Sequence, residues 1–339
     1  MTSLEHLLPA PDQSVRCVDH SRGLAVDPGG TAIRADRVIL VETPLPWPKP
    51  VFGHPVLQEI NAILQGSIRP IRTLAYVPPS PGPPPSAVGP EGAAADSFVP
   101  TVITLDRPTG SGDGRGPIDA VIERRFNPST TDELLDLGRA LATDETQAID
   151  AMAQSIEAVT GPILLVCTQG SHDVCCGSEG ARFAAEAEAL DGLTVYRVSH
   201  TGGHRFAPTA MTLPDGRMWS DLDLDLLRQI LARTGQPADV ADRCRGWWGA
   251  DPGPAQMAER AVFEAAGWEL EDVDRSIELD QSSDRSLDGT VRCVVDAGDR
   301  SWEVLVAPSR TVPTIACRQP GGLPAKQSVE YEIKRITEI

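Results

Sequence analysis

The sequence predicts an α/β protein of three consecutive units, and three observations carry that reading. Residues 143–235 run helix, strand, helix, strand, hairpin, helix, which is a compact α/β unit with a mixed sheet. Before residue 130, short apolar runs alternate with one helical pattern, which gives a preceding α/β unit. After residue 241 a helix leads into strict alternation, with Val329, Tyr331 and Ile333 set against Glu330, Glu332 and Lys334. That pattern is a small C-terminal helix-plus-antiparallel-strand unit. The expected units are 1–142, 143–240 and 241–339. A chain of 339 residues, 41% of them hydrophobic, is long enough for two or three cores.

The elements follow in order. Val38 to Val41 is a buried strand, stopped by Pro44, Pro46 and Pro48, which lack the amide a ladder needs. Residues 54–65 form a helix with Val56, Ile60, Ile63 and Leu64 near one face, and Ile71 to Val77 forms a second strand. The Pro-rich loop 78–97 has too little apolar bulk for a core. Strands near 99–105 and 118–126 flank a glycine-rich turn at Gly110 to Gly114. Thr143 or Asp144 caps an expected helix to about Val159, with Ile149, Met152, Ala153 and Ile156 inward. Ile163 to Val166 is a strand that runs directly into Cys167. A helix at 178–190 and a strand from Leu193 to Val198 lead to His200. A hairpin over Met211–Trp219 turns at Pro214-Asp215-Gly216, and a capped helix spans 221–233. Residues 236–254 read as a loop holding Trp247-Trp248, before a helix at 254–267.

Composition narrows the function. The net charge is −18, with no basic patch, which excludes nucleic-acid binding. No apolar run approaches the ~20 residues that span a bilayer, and MTSLEHLLPAPDQ lacks a basic n-region, so a cytoplasmic protein with no membrane association is expected. Seven cysteines in a reducing compartment fit metal or redox chemistry better than a disulfide framework.

The chemistry concentrates in Cys167 to Cys176 (CTQGSHDVCC) and His200 to His204 (HTGGH), both directly after predicted strands. Strand ends on one edge of a sheet open onto a common crevice, so the two segments meet in space. Thiolate and imidazole together bind zinc or iron. Structural zinc knuckles usually place their cysteines two to four residues apart. The longer loop here suits a larger object, and Gly170, Gly177, Gly202 and Gly203 let backbone amides approach it. Cys175 competes with Cys176, and His172 is an exposed polar residue or a spare ligand.

These segments resemble the sucrase/ferredoxin-like family of thioredoxin-like ferredoxins. The likeness extends to GGTAIRADRVILVETPLPW, CGSEGARFA and RGWWGADPGPAQMAE, and so covers about residues 15–265. It implies a thioredoxin-like ferredoxin domain at 143–240, preceded by a degenerate thioredoxin-like or related α/β unit. It also implies a 2Fe–2S cluster ligated by Cys167, Cys176, His200 and His204, and selects Cys176 over Cys175. Two imidazoles in place of thiolates raise the potential, and electron transfer coupled to protonation of His200 or His204 is expected. The protein then reads as an electron carrier more than as an enzyme with its own substrate. Its partner would be an unidentified redox protein or a small-molecule electron donor or acceptor. No carboxylate pair supports glycosidase chemistry.

Other readings compete. A zinc site would make this a zinc-stabilised binding or scaffold protein without redox activity. A Cys167–His200 catalytic pair leaves the second Cys and second His unexplained. A pocket between the units could serve an enzyme. Cys17, Cys244, Cys293 and Cys317 lie in separate predicted elements and read as small buried hydrophobes. Arg205 is a salt-bridge former or a cation beside the centre. Trp247-Trp248 reads as interdomain packing, with a docking surface as the alternative.

Overall fold

The computed structural model describes residues 4–78, 98–107, 120–171, 173–280 and 289–339. Nearly all of the proline-rich loop (from residue 79 on), the Gly110 to Gly114 turn and His172 lie outside them. A mixed α/β architecture emerges, with a ten-stranded sheet and a separate four-stranded sheet.

Strand β1 (Arg37–Glu42) is buried along almost its whole length. Val38 and Leu40 face one core while Ile39 and Val41 face another, as period-2 alternation requires. Helix α2 (Pro55–Leu64) carries the chain to β2 (Ile71–Val77), parallel to β1. Then β3 (Val102–Asp106) and β4 (Val121–Phe126) add an antiparallel pair, and α3 (Thr131–Thr143) closes the half. Thr130 caps α3 by accepting from the Glu133 amide at 3.2 Å.

The second half repeats this plan. Strand β6 (Ile163–Cys167), helix α5 (Ala181–Ala187) and strand β7 (Thr194–Val198) form the parallel unit. The β8–β9 hairpin (Ala210–Leu213 and Arg217–Trp219) and helix α6 (Leu224–Ala232) complete it. The order is β2-β1-β3-β4 in one half and β7-β6-β8-β9 in the other. Antiparallel pairs Tyr76↔Val198 and Val77↔Arg197 join the halves at the last residues of β2 and β7.

Two expected elements differ. The helix expected to run to Val159 is a short α4 (Thr146–Met152) followed by a strand, β5 (Ser155–Val159). Ala153 leaves the helical region, and β5 pairs with the free edge of β4, so cross-strand bonding overrides helical periodicity. Met152 and Ile156, expected inside, are exposed. The expected loop 236–254 contains a further strand, β10 (Cys244–Trp247), on β9. Both tryptophans are fully buried, which removes the docking alternative.

Helix α7 (Pro254–Ala266) packs Val262 and Phe263 against Cys293, Val295, Trp302 and Val304 of the small sheet. That sheet is β11 (Arg275–Asp280), β12 (Val291–Ala297), β13 (Arg300–Thr314) and β14 (Lys326–Glu338), antiparallel throughout. A buried ionic quartet ties it to the large one. Arg217 of β9 pairs with Glu259 at 2.8 Å and with Glu271, while Arg275 pairs with Glu259 at 2.9 Å and Glu271 at 3.1 Å.

Candidate metal centre

Because β6 and β7 are parallel neighbours in register from Ile163↔Thr194 to Cys167↔Val198, their C-terminal ends emerge side by side. Cys167 is the last residue of β6, and His200 follows β7 by two residues. The chain after Cys167 loops out and returns as a single π-helical turn, Cys176–Gly180, which brings Cys176 back over the strand end. The ligand atoms of Cys167, Cys176 and His200 all lie within 4.8 Å of one another. Both cysteines are buried.

The fourth sequence-predicted residue, His204, sits beside this trio. Its ring centroid is 5.9 Å from that of His200. Its Nδ1 lies 3.0 Å from Asp173 Oδ2 and 3.3 Å from Cys17 Sγ. Gly202 and Gly203 both adopt positive φ (81° and 69°), which lets the chain reverse within HTGGH.

Contacts the sequence did not reveal hold the two loops. Gln169 is buried; its Nε2 donates to Pro48 O at 2.7 Å and its Oε1 accepts from the His200 amide at 3.1 Å. One side chain thus fixes the cysteine loop, the histidine loop and the proline-rich bend after β1. Two arginines, the half-buried Arg72 and the buried Arg245, lie beneath the histidine loop. Arg72 donates to His200 O. Arg245 donates to Gly202 O at 3.2 Å and to Thr31. Burial pulls Arg245 down to about 10, against the opposing field of the Cys167 thiolate. Arg205 hydrogen-bonds the hydroxyls of Thr314 and Ser328 on the small sheet.

The Cys167 thiol is pushed well down, first by its contact with Cys176, then by His200 and the Thr201 amide, against the cost of burial. Cys176 is pushed well up by the same contact. The two thiols therefore titrate together and not as independent groups.

Cys17 and Cys317 correct the sequence expectation. They are not isolated hydrophobes: with Cys175 and Asp173 they form a second group whose ligand atoms are within 4.8 Å of one another. No local motif announces it, because the members come from residue 17, residues 173–175 and residue 317. Cys244 and Cys293 do behave as buried apolar thiols, and burial raises both, Cys293 to about 12.

An α/β scaffold that gathers buried thiols and imidazole at adjacent strand ends is compatible with metal binding, and the donor set fits soft or borderline ions. The chain belongs to the sucrase/ferredoxin-like family, whose profile matches residues 28–246. No curated protein and no solved structure matches it. Among the described residues, no helix is long and apolar enough to cross a membrane.

Proposed function

We propose that this protein is an electron carrier holding a 2Fe–2S cluster on Cys167, Cys176, His200 and His204. The convergence of Cys167, Cys176 and His200 at the ends of β6 and β7 carries the reading. Family membership and the His200 to His204 loop support the fourth ligand. Asp173 accepts from Nδ1 of His204 and leaves Nε2 as that ring's ligand atom, an arrangement common beside metal-bound histidines. When bound, such a cluster supplies one-electron transfer at a potential raised by its neutral imidazole ligands. The chain's own residues position the ligands: Gln169 and Arg72 hold the His200 backbone, and Asp173 fixes the tautomer of His204.

The parallel βαβ pair followed by an antiparallel hairpin and a helix, built once around each half, supports the thioredoxin-like reading. The first half is then the degenerate copy, since the chain after β1 offers Thr43 and Pro44 rather than cysteine. The partner is a redox protein or a small-molecule donor or acceptor.

Anaerobically purified protein should be red-brown, bleach with dithionite, and contain iron and acid-labile sulfide in equal amounts. His200→Cys and His204→Cys should keep the colour and lower the potential. Potentiometry across pH tests the proton coupling, and a flat profile removes it. Convergence of three donors within 4.8 Å also suits one zinc ion, so the same preparation is assayed for zinc. Colourless protein with zinc in the Cys167–His200 site would replace the electron-carrier reading with that of a zinc-stabilised scaffold.

A further inference from the structure

We propose a second, separate metal site in which Cys17, Cys175, Cys317 and Asp173 hold one zinc ion. It goes beyond the cluster reading and does not depend on which metal fills the first centre. Cys175 Sγ lies 3.8 Å from Cys17 Sγ and 3.9 Å from Cys317 Sγ. A tetrahedral zinc with ~2.3 Å sulfur arms has sulfur–sulfur edges of ~3.8 Å. Cys17 Sγ lies 3.2 Å from Asp173 Oδ2, near the ~3.5 Å edge of a mixed sulfur and oxygen pair. A disulfide would need a separation of ~2.05 Å. The spacing matches that of ligands around an ion.

The surroundings suit a closed structural site. Cys17, Asp173 and Cys175 are buried, with Val18, Ala207 and Ile315 packed around the sulfurs. Four protein donors leave no open position, the mark of structural rather than catalytic zinc. Backbone amides orient the ligands: Cys17 N–H points at Cys317 Sγ at 3.5 Å, and Cys175 N–H donates to Asp173 Oδ1 at 2.8 Å.

The topology explains how adjacent cysteines serve two centres. Cys175 is in αR conformation, so it and Cys176 point roughly 100° apart around the turn. Cys176 joins Cys167, and Cys175 joins the other group. Cys17 opens helix α1 (Cys17–Gly23), and Cys317 lies in the turn after β13. Arg318 N–H to Val15 O at 2.8 Å and Gly321 N–H to Gln13 O at 2.9 Å hold those two segments together. The ion would clip both onto the cysteine loop, across sequence separations of 142 to 158 residues. Because no such site exists in the unfolded chain, its binding energy becomes folding energy.

The test uses the full chain with the first centre removed. Cys167→Ala/Cys176→Ala protein, purified in reductant, should retain roughly one zinc per chain. Zinc K-edge absorption should fit three sulfurs at ~2.3 Å and one lighter ligand at ~2.0 Å. A zinc-free chain, a two-sulfur shell, or a mass two protons low from a disulfide would each overturn the proposal. In the reverse experiment, Cys17→Ser/Cys317→Ser should lose that zinc and keep the metal of the first centre. Retained zinc, or loss of iron from a chain with unchanged circular dichroism, would refute two separate sites. Where this variant does not fold, the first protein decides. The colour of the unmodified protein tests the cluster independently.

Discussion

Gly180 is the position where a single methyl group should disturb the centre without altering a ligand side chain. A Cβ there would sit 2.1 Å from the carbonyl oxygen of Cys167, against ordinary contacts of 3.4 Å or more. The obstacle is backbone, so no side chain can swing away. Either the end of β6 or the π-helical turn carrying Cys176 must move by about 1 Å, and each bears a candidate ligand. Gly180 has helical φ and ψ (−64°, −41°), so alanine would otherwise stabilise by ~0.4–1 kcal/mol through the unfolded chain. Overpacking costs ~1–3 kcal/mol and should decide the sign. Gly180→Ala should therefore lower Tm by several degrees. Metal affinity should fall ~10–100-fold, as when supporting residues of a metal site are disturbed. Gly161→Ala is the control, with no heavy atom within 4 Å of its added methyl. The assay is metal per chain after anaerobic reconstitution, with thermal melts in parallel. Unchanged Tm and full loading in Gly180→Ala would refute the packing of the turn on Cys167.

Two further variants probe the scaffold. Gln169→Ala strands the His200 amide and leaves the Pro48 carbonyl only its 3.2 Å bond from Ser171; it should cost ~1–3 kcal/mol in denaturant melts and reduce metal retention, with normal retention counting against Gln169 as a positioning residue. Glu259→Gln removes one anion from the fully buried quartet with Arg217 and Arg275; a loss of ~3–5 kcal/mol is expected by urea unfolding, and a loss below ~1 kcal/mol would mean the quartet does not join the sheets as a unit.

How much of this was legible depended on distance along the chain. Strands β1, β2, β6 and β7 announce themselves as apolar runs, and parallel pairing of β6 with β7 places Cys167 near His200 as the strand-end argument required. Helix α3 carries a readable cap in Thr130 and Glu133, but no helix is expected from its pattern, and the expected helix after it runs too far. Residues 153–159 have apolar positions compatible with either period, and the available edge of β4 decided in favour of a strand. Cys17 and Cys317 were illegible for a different reason: nothing local couples residue 17 to 173 or 175 to 317. The one hint was the odd cysteine count. Three cysteines now fall in the second group, two in the first, and two in apolar cores. Gln169 carried no signal, since a lone glutamine after a cysteine has no motif.

The chain is acidic overall, yet the floor of the site is cationic, and that contrast yields a final prediction. The protein oxygens that Arg72 and Arg245 bond are neutral: carbonyls of His200, Gly202 and Thr31 and the Thr31 hydroxyl. A buried guanidinium among carbonyls is costly unless an anion lies near. The Cys167 thiolate is that anion, and its field raises both arginines against desolvation. The floor suits a negatively charged centre, and with the proposed cluster bound it would favour the state with more electrons. Arg72→Met should lower the midpoint potential of the loaded protein, and Arg72→Lys should largely restore it. A tenfold change in a one-electron equilibrium is about 59 mV, and the expected drop is of that order. Equal potentials in both variants, at full metal loading, would show that Arg72 acts on the His200 backbone alone and that its charge is not felt at the centre.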